Sequence, residues 1–385
     1  MISIKYKEMY DVFINHYKNK HVNPWHEISE SELDKIYNNI VSNQDINDDY
    51  SFNYLMNVIL KRLSGEVDAH SKYDDVKMIP MNFIIFGEDV IINYPDNLKG
   101  YELISINGFD IKDVLNQLDD VITYGTEGKR IYELEKALFN KKKMFGIPMF
   151  RGADSLVMSF KKADGSIITR EFKKDEEYSE EEMFDWDIFA YGNVATYSVK
   201  DKKLIINYSS VQNKFKSNIE NMMMEISKLD LSEIDTIIVD IRGNTGGNSG
   251  LNKPLIDFII KTKKRILCLT DYRVFSSGKF LLVDLIKLGA ITIGTGISTP
   301  LNCYGNSDWI EYNGYRFSSS SCFFAPNYEW SASSKEEYKS EVRDEFITPV
   351  IFMPDVYIEQ SKEDYLNEID NVLEYALSME NKKSL

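Results

Sequence analysis

Apolar residues recur every three or four positions through the first 72 residues, as in MYDVFINHY and FNYLMNVILKRL, and this spacing predicts helices. Ser29 or Ser31, within WHEISESELDKIY, offers a helix start ahead of the next apolar stripe. From about 75 to 180 the pattern is mixed. Short apolar runs such as NFIIFGEDVII and ELISING alternate with one predicted helix, RIYELEKALFNKK, and with LVMSFKKADGSIITREF, whose Asp164-Gly165 pair predicts a hairpin turn. The charged stretch KKDEEYSEEEMFDWD reads as a solvated linker.

Beyond about 190 the order becomes strand, helix, strand, helix. KLIINYSS and DTIIVDI flank a helix around NIENMMMEISKL, and RILCLTD, KFLLVDLIKLG and AITIGTG continue the alternation. Uninterrupted apolar strands between amphipathic helices predict a mainly parallel sheet covered on both faces. Asn313-Gly314 in WIEYNGYRF predicts a hairpin, and EDYLNEIDNVLEYALS predicts one closing helix. These patterns divide the chain into a helical segment over 1–72, a mixed β-rich domain over 73–185 and an α/β domain over 186–385.

Composition narrows the function classes. With 385 residues, 43% of them apolar and 28% charged, the chain is long enough for more than one core and too apolar for wholesale disorder. A net charge of -16 argues against a nucleic-acid partner, which is held by Lys and Arg. The N-terminus is charged every few residues and no apolar run approaches eighteen, so neither a signal peptide nor a membrane span is predicted, and the expected location is cytoplasmic. Cys268, Cys303 and Cys322 lack CxxC spacing and read as small buried hydrophobes.

Candidate chemistry lies at two strand ends. DIRGNTGGNSG follows an apolar strand and precedes a helix, the position where ligands bind in an open parallel sheet. Its glycines allow backbone amides to converge on an anion or oxyanion, although a tight turn needs the same residues, and neither phosphate-loop spacing is present. Ser276 and Ser277 stand before the helix of KFLLVDLIKLG, where a serine either caps the helix or attacks as a nucleophile. A nucleophile needs a base, and the four histidines are His16, His21, His26 and His70. The first three share no helix face and form no HExxH pattern, which makes them surface or packing residues; His70 sits in a polar loop, LSGEVDAHSKYDD, after a helix end.

Together these fragments resemble the serine peptidase family of C-terminal processing proteases, tricorn core protease and retinoid-binding repeats. DAHS resembles its Asp-His element, DIRGNTGG its DxRxNxGG loop, FSSGK its SxxE element and GTGIST its GExT strand end, in the family's order; Pro354-Asp355 and Asp370 resemble its C-terminal PD and helix Asp. The resemblance implies a crotonase/ClpP-like α/β domain, and KGYELISINGFDI, through Gly100, Ile106, Asn107 and Gly108, resembles part of a PDZ-like module. One family branch uses a lysine about two dozen residues beyond the serine. GTGISTPLNCYG has none, so the histidine branch is favoured.

The implied machinery is Ser276 as nucleophile, His70 as general base, Gly246 or Gly247 with Ser277 as oxyanion donors, and Glu345, with Glu341 second, as a supporting carboxylate. The implied substrate is a peptide or unfolded protein, with no cofactor, metal, nucleic acid or membrane. Lys279 stands where the family has glutamate and Ala69 where tricorn-like enzymes have serine. These departures support the alternative of an inactive peptide- or small-ligand-binding protein on the same fold. A small-molecule ester hydrolase is the third reading.

Overall fold

The computed structural model describes residues 1–74, 77–179 and 194–380, and it is an α/β structure with several sheets. The chain forms two compact units, one of residues 1–184 with 302–349, the other of 185–301 with 350–385. Residues 302–349 thus group with the N-terminal half rather than with the α/β region that flanks them in sequence. Most of the charged stretch read as a linker, and the cut expected at 185/186, lie outside the described residues.

In the first unit the helical periodicity yields helices Ile4–Lys20, Glu30–Asn43 and Asp49–Ser64. Ser29 is the start of the second, forming a reciprocal capping box with Glu32. Their apolar faces bury Phe13, Tyr17, Phe52, Leu55 and Ile59 against Tyr73, Tyr315 and Phe317. The last two belong to strand Tyr315–Ala325, which pairs antiparallel with Cys303–Tyr312 across the Asn313-Gly314 turn and, on its other side, with Lys72–Asp74. Both turn residues have positive φ, 50° and 79°, as a two-residue hairpin of matching twist requires.

A second, antiparallel sheet orders strands Asn82–Phe86, Asp89–Tyr94, Glu102–Ile106, Ser155–Lys161 and Ile167–Lys173. The Asp164-Gly165 turn joins the last two, and Asn107-Gly108 joins Glu102–Ile106 to the short Phe109–Asp110.

In the second unit, Val356–Tyr357, Ile291–Gly294, Arg265–Thr270, Thr236–Asp240 and Lys203–Asn207 run parallel in that order, with Thr196–Lys200 antiparallel at the edge. Alternation explains the unbroken apolar strands. Ile237, Val239, Ile266 and Cys268 pack with Ile219, Met222, Leu255, Ile259, Leu281 and Leu285 of helices Lys216–Ile226, Lys253–Thr262 and Ser277–Lys287. Ile238, Leu267, Leu269 and Ile293 point to the opposite face, beneath Val372 and Ala376. Burial holds the Cys268 thiol far above its usual range, in keeping with a hydrophobic role.

The closing helix differs from its expectation. It is two helices, Lys362–Leu366 and Asn371–Ser378, because Glu368 turns left-handed at φ 58° and Asp370 leaves the helical path. Asp370 then caps the second helix through the Leu373 amide at 3.0 Å while holding Arg242 at 2.8 and 2.6 Å.

Phe317 is fully buried, with its ring 5.5 Å from Phe13 and 5.4 Å from Tyr73. Phe317→Ala should therefore cost about 3–5 kcal/mol of stability, read as a lowered urea midpoint of the full chain; a change within error would mean that the N-terminal helices do not depend on this contact.

Candidate active site

The second unit brings the two strand-end motifs together. Asp240 and Leu269 are register partners at the ends of adjacent strands, so the loops that follow emerge side by side. Asp271 ties them, its Oδ1 accepting from the Gly243 amide at 2.9 Å and the Arg273 amide at 3.0 Å. Asn244 ties them again: its carbonyl accepts from the Phe275 amide at 2.9 Å, its Nδ2 donates to the Tyr208 carbonyl at 2.7 Å, and its Oδ1 accepts from the Gly246 amide at 3.0 Å. Arg242 is fixed between Asp240 and Asp370. Burial alone would lower the affinity of that guanidinium for its proton, but the two carboxylates outweigh it and hold the pKa well above the usual value.

Ser276 follows with φ 52° and ψ −121°, immediately before helix Ser277–Lys287. A non-glycine residue in this region is strained by roughly 1–3 kcal/mol. It does not serve as the side-chain cap of that helix. The closeness of Gly246 explains how the conformation is accommodated: a Cβ there would lie 2.7 Å from Ser276 Cβ and 2.7 Å from the Ser277 amide nitrogen, at φ +96°. Gly278 is equally confined, since a Cβ would stand 2.5 Å from the Asn244 carbonyl oxygen. The Ser277 hydroxyl donates to the Gly247 carbonyl at 2.7 Å, locking the glycine turn to the helix start.

The amides expected to stabilise an oxyanion divide. That of Gly246 is spent on Asn244 Oδ1, so Gly246 contributes space rather than a donor. The Val211 bridge beside the turn uses the Gly246 carbonyl and the Asn248 amide, and leaves the Gly247 amide out of it. Ser277 is the first helical residue, whose amide has no partner within the helix. Lys279 is buried at 1% exposure and donates to the Pro300 carbonyl at 3.3 Å.

His70 belongs to the other unit. Its ring is buried, with Nδ1 at 3.0 Å from the Tyr304 carbonyl oxygen. A carbonyl only accepts, so Nδ1 is the donor, and in the neutral ring Nε2 then carries the lone pair, the tautomer a base requires. Glu345, expected as a supporting carboxylate, belongs to the same unit as His70. Glu345 is exposed and pairs with Arg343 at 3.6 Å, Glu341 accepts from Trp330 Nε1 at 3.2 Å, and the partner on Nδ1 is a backbone carbonyl.

His21 and His26, expected as surface or packing residues, are packing residues of a specific kind. Their rings stack 5.1 Å apart, both against Tyr304, and His21 Nε2 lies 3.2 Å from Asp68 Oδ2. Burial by itself would raise the Asp68 carboxyl, but the neighbouring His21, then His26 and Ser320, hold it far below the usual carboxylate range. Burial, followed by the neighbouring His21, pushes His26 down to about 4. Nothing in the spacing of these histidines signals the cluster; the nearest clue is Asp68 two residues before His70.

No protein-family model matches the sequence, and no curated protein does. Among solved structures, that of mature CPAF matches with a TM-score of 0.61 and 11% identity over 97% of each chain. Mature CPAF complexed with lactacystin matches with a TM-score of 0.62 and 10% identity over 97% of this chain and 98% of that one. The photosystem II D1 C-terminal processing protease gives a TM-score of 0.43 and 12% identity over 92% of each chain. At such identities the CPAF likeness is one of fold, and the chain shares that fold along nearly its whole length.

Two outcomes are expected from this geometry. Gly246→Ala should destabilise the chain by about 1–3 kcal/mol through strain and overlap, seen as a lower denaturation midpoint, and a neutral result would contradict the packing of the turn on Ser276. His26 has a depressed pKa in the folded state, so the unfolded chain binds its proton first. Stability is then fully present above about pH 6.5 and falls towards pH 4, by at most about 1.4 kcal/mol per pH unit from this group. Replacing His26 with Gln should flatten that part of the stability profile.

Proposed function

We propose that this chain is a serine peptidase in which Ser276 attacks the scissile carbonyl, His70 Nε2 takes the hydroxyl proton and returns it to the leaving amine, and the amides of Gly247 and Ser277 hold the oxyanion. The single observation that carries the reading is the strained Ser276 at a helix start, with Gly246 pressed against its Cβ and the Ser277 hydroxyl holding the Gly247 carbonyl. A serine on a strained turn between strand and helix projects its hydroxyl clear of its own backbone, and the same placement sets it beside the first amide of the helix, that of Ser277. The tautomer of His70 agrees with the assigned role. The shared fold with mature CPAF supports the assignment, and because that protein was solved complexed with lactacystin, this compound is a natural probe of Ser276.

The α/β unit is read as crotonase/ClpP-like on its parallel sheet and following helices, and the antiparallel sheet of the first unit as PDZ-like on its Asn107-Gly108 turn. The expected substrate is an unfolded protein or peptide. Binding without catalysis has one observation in its favour, the buried Lys279 in place of the resemblance's glutamate.

Labelling separates the readings. A fluorophosphonate should label the parent at Ser276, and Ser276→Ala or His70→Gln should reduce casein or peptide cleavage by several orders of magnitude, on the order of a million-fold where such residues act as a unit. Cleavage by Ser276→Ala at the parent rate would remove the assignment; an unlabelled, inactive parent would favour the binding protein.

A further inference from the structure

The loop that presents His70 is built on a buried carboxylate. Asp68 Oδ1 accepts from the His70 amide at 3.1 Å, the Ser71 amide at 3.1 Å and the Ser320 hydroxyl at 2.6 Å. Oδ2 lies 3.2 Å from His21 Nε2, and neither side chain reaches solvent. The Asn23 amide donates to His21 Nδ1 at 3.1 Å, which makes that nitrogen the acceptor and puts the ring proton on Nε2, the nitrogen nearest Asp68. The remaining groups of the loop are fastened to the 303–325 hairpin. The His70 carbonyl accepts from Ser307 Oγ at 3.1 Å and Ser318 Oγ at 2.8 Å, and Ser71 Oγ accepts from the Ser320 amide at 3.1 Å.

A turn alone would need only one acceptor oxygen, which asparagine supplies. The second oxygen, placed against an imidazole whose proton is fixed by its own backbone contact, is what requires a carboxylate. A buried carboxylate without partners is costly, and here Oδ1 takes three donors while Oδ2 lies 3.2 Å from the His21 ring.

We propose that Asp68, braced by His21, is the positioning residue of His70: it fixes the backbone from which the imidazole projects, so that Nδ1 meets the Tyr304 carbonyl and Nε2 is presented as the base. The inference rests on the reading of His70 as the general base for Ser276. Displacing the ring by even an ångström would cost on the order of 100-fold in rate. Asp68→Asn keeps the Oδ1 acceptor but turns an amide towards His21 Nε2, setting donor against donor, because His21 cannot shift its proton to Nδ1 without losing the Asn23 bond.

The test uses the full chain labelled with ¹⁵N-histidine, which carries four rings, and His70→Gln assigns the one of interest. The parent should show His70 as the Nδ1–H tautomer. Asp68→Ala should mix or reverse that tautomer with circular dichroism unchanged, and slow fluorophosphonate labelling of Ser276 about 100-fold, with Asp68→Asn falling between it and the parent. Should Asp68→Ala not fold, Asp68→Asn decides, a several-fold slower labelling and a disturbed tautomer being expected. A parent-like tautomer and labelling rate in every variant that folds overturns the proposal. If the parent is not labelled at all, the peptidase reading fails, and the tautomer measurement alone then upholds or overturns the role of Asp68.

Discussion

The second unit is organised around a steric demand: a serine in left-handed backbone at the first turn of a helix needs a neighbour with no side chain. Gly246 meets it, because any Cβ there would overlap both Ser276 and the amide of Ser277. The remaining polar residues of the motif keep this glycine in place. Asn244 joins three strand ends through its carbonyl and both ends of its amide, Asp271 joins two turns through one oxygen, and Arg242 binds the strand-end Asp240 to Asp370 some 130 residues later. Strain at Ser276 persists only because these contacts over-determine the surrounding backbone.

The first unit meets a different demand, that of holding a buried imidazole in one tautomer. A backbone carbonyl is suited to this, since it accepts and never donates, and its position follows from the strand that carries it. Tyr304 is the second residue of such a strand and pairs through its amide with the Val67 carbonyl, just before the His70 loop. Its side chain meanwhile covers His21 and His26, so the same residue shapes the loop from both main chain and ring. The electrostatics are closed locally: the Asp68 carboxylate answers His21, while His26 is driven towards its neutral form.

Much of the fold could be read from periodicity and turn chemistry. The 3.6-residue pattern before 72, the continuous apolar strands beyond 200 and the Asn-Gly and Asp-Gly turns at 313–314 and 164–165 all correspond to elements found. What escaped the reading depends on partners remote in sequence. The helix expected over 363–378 breaks because Asp370 is drawn to Arg242, a residue no local pattern connects to it. Residues 302–349 belong with the N-terminal half because Phe317 and Tyr315 complete the core of the first helices. Within the site, glycine and serine positions were legible because their chemistry is tied to residue type. The Tyr304 carbonyl was not, since any residue could supply it, and Asp68 was seen as a loop residue because its side-chain neighbours His21 and Ser320 lie 47 residues before and 252 after it.

Lys279 bears most directly on whether the departure from the resembled motif removes the chemistry. It lies one helical turn beyond Ser276, yet its ammonium extends to the carbonyl of Pro300, in the segment that follows strand Ile291–Gly294. That segment is also held by Ser298, whose amide donates to the Val274 carbonyl at 3.0 Å and whose hydroxyl donates to the Tyr272 carbonyl at 2.5 Å. A buried cation satisfied by a backbone carbonyl is a way of anchoring a loop, as a glutamate would anchor one through backbone amides. The exchange of glutamate for lysine therefore reverses the polarity of one loop attachment.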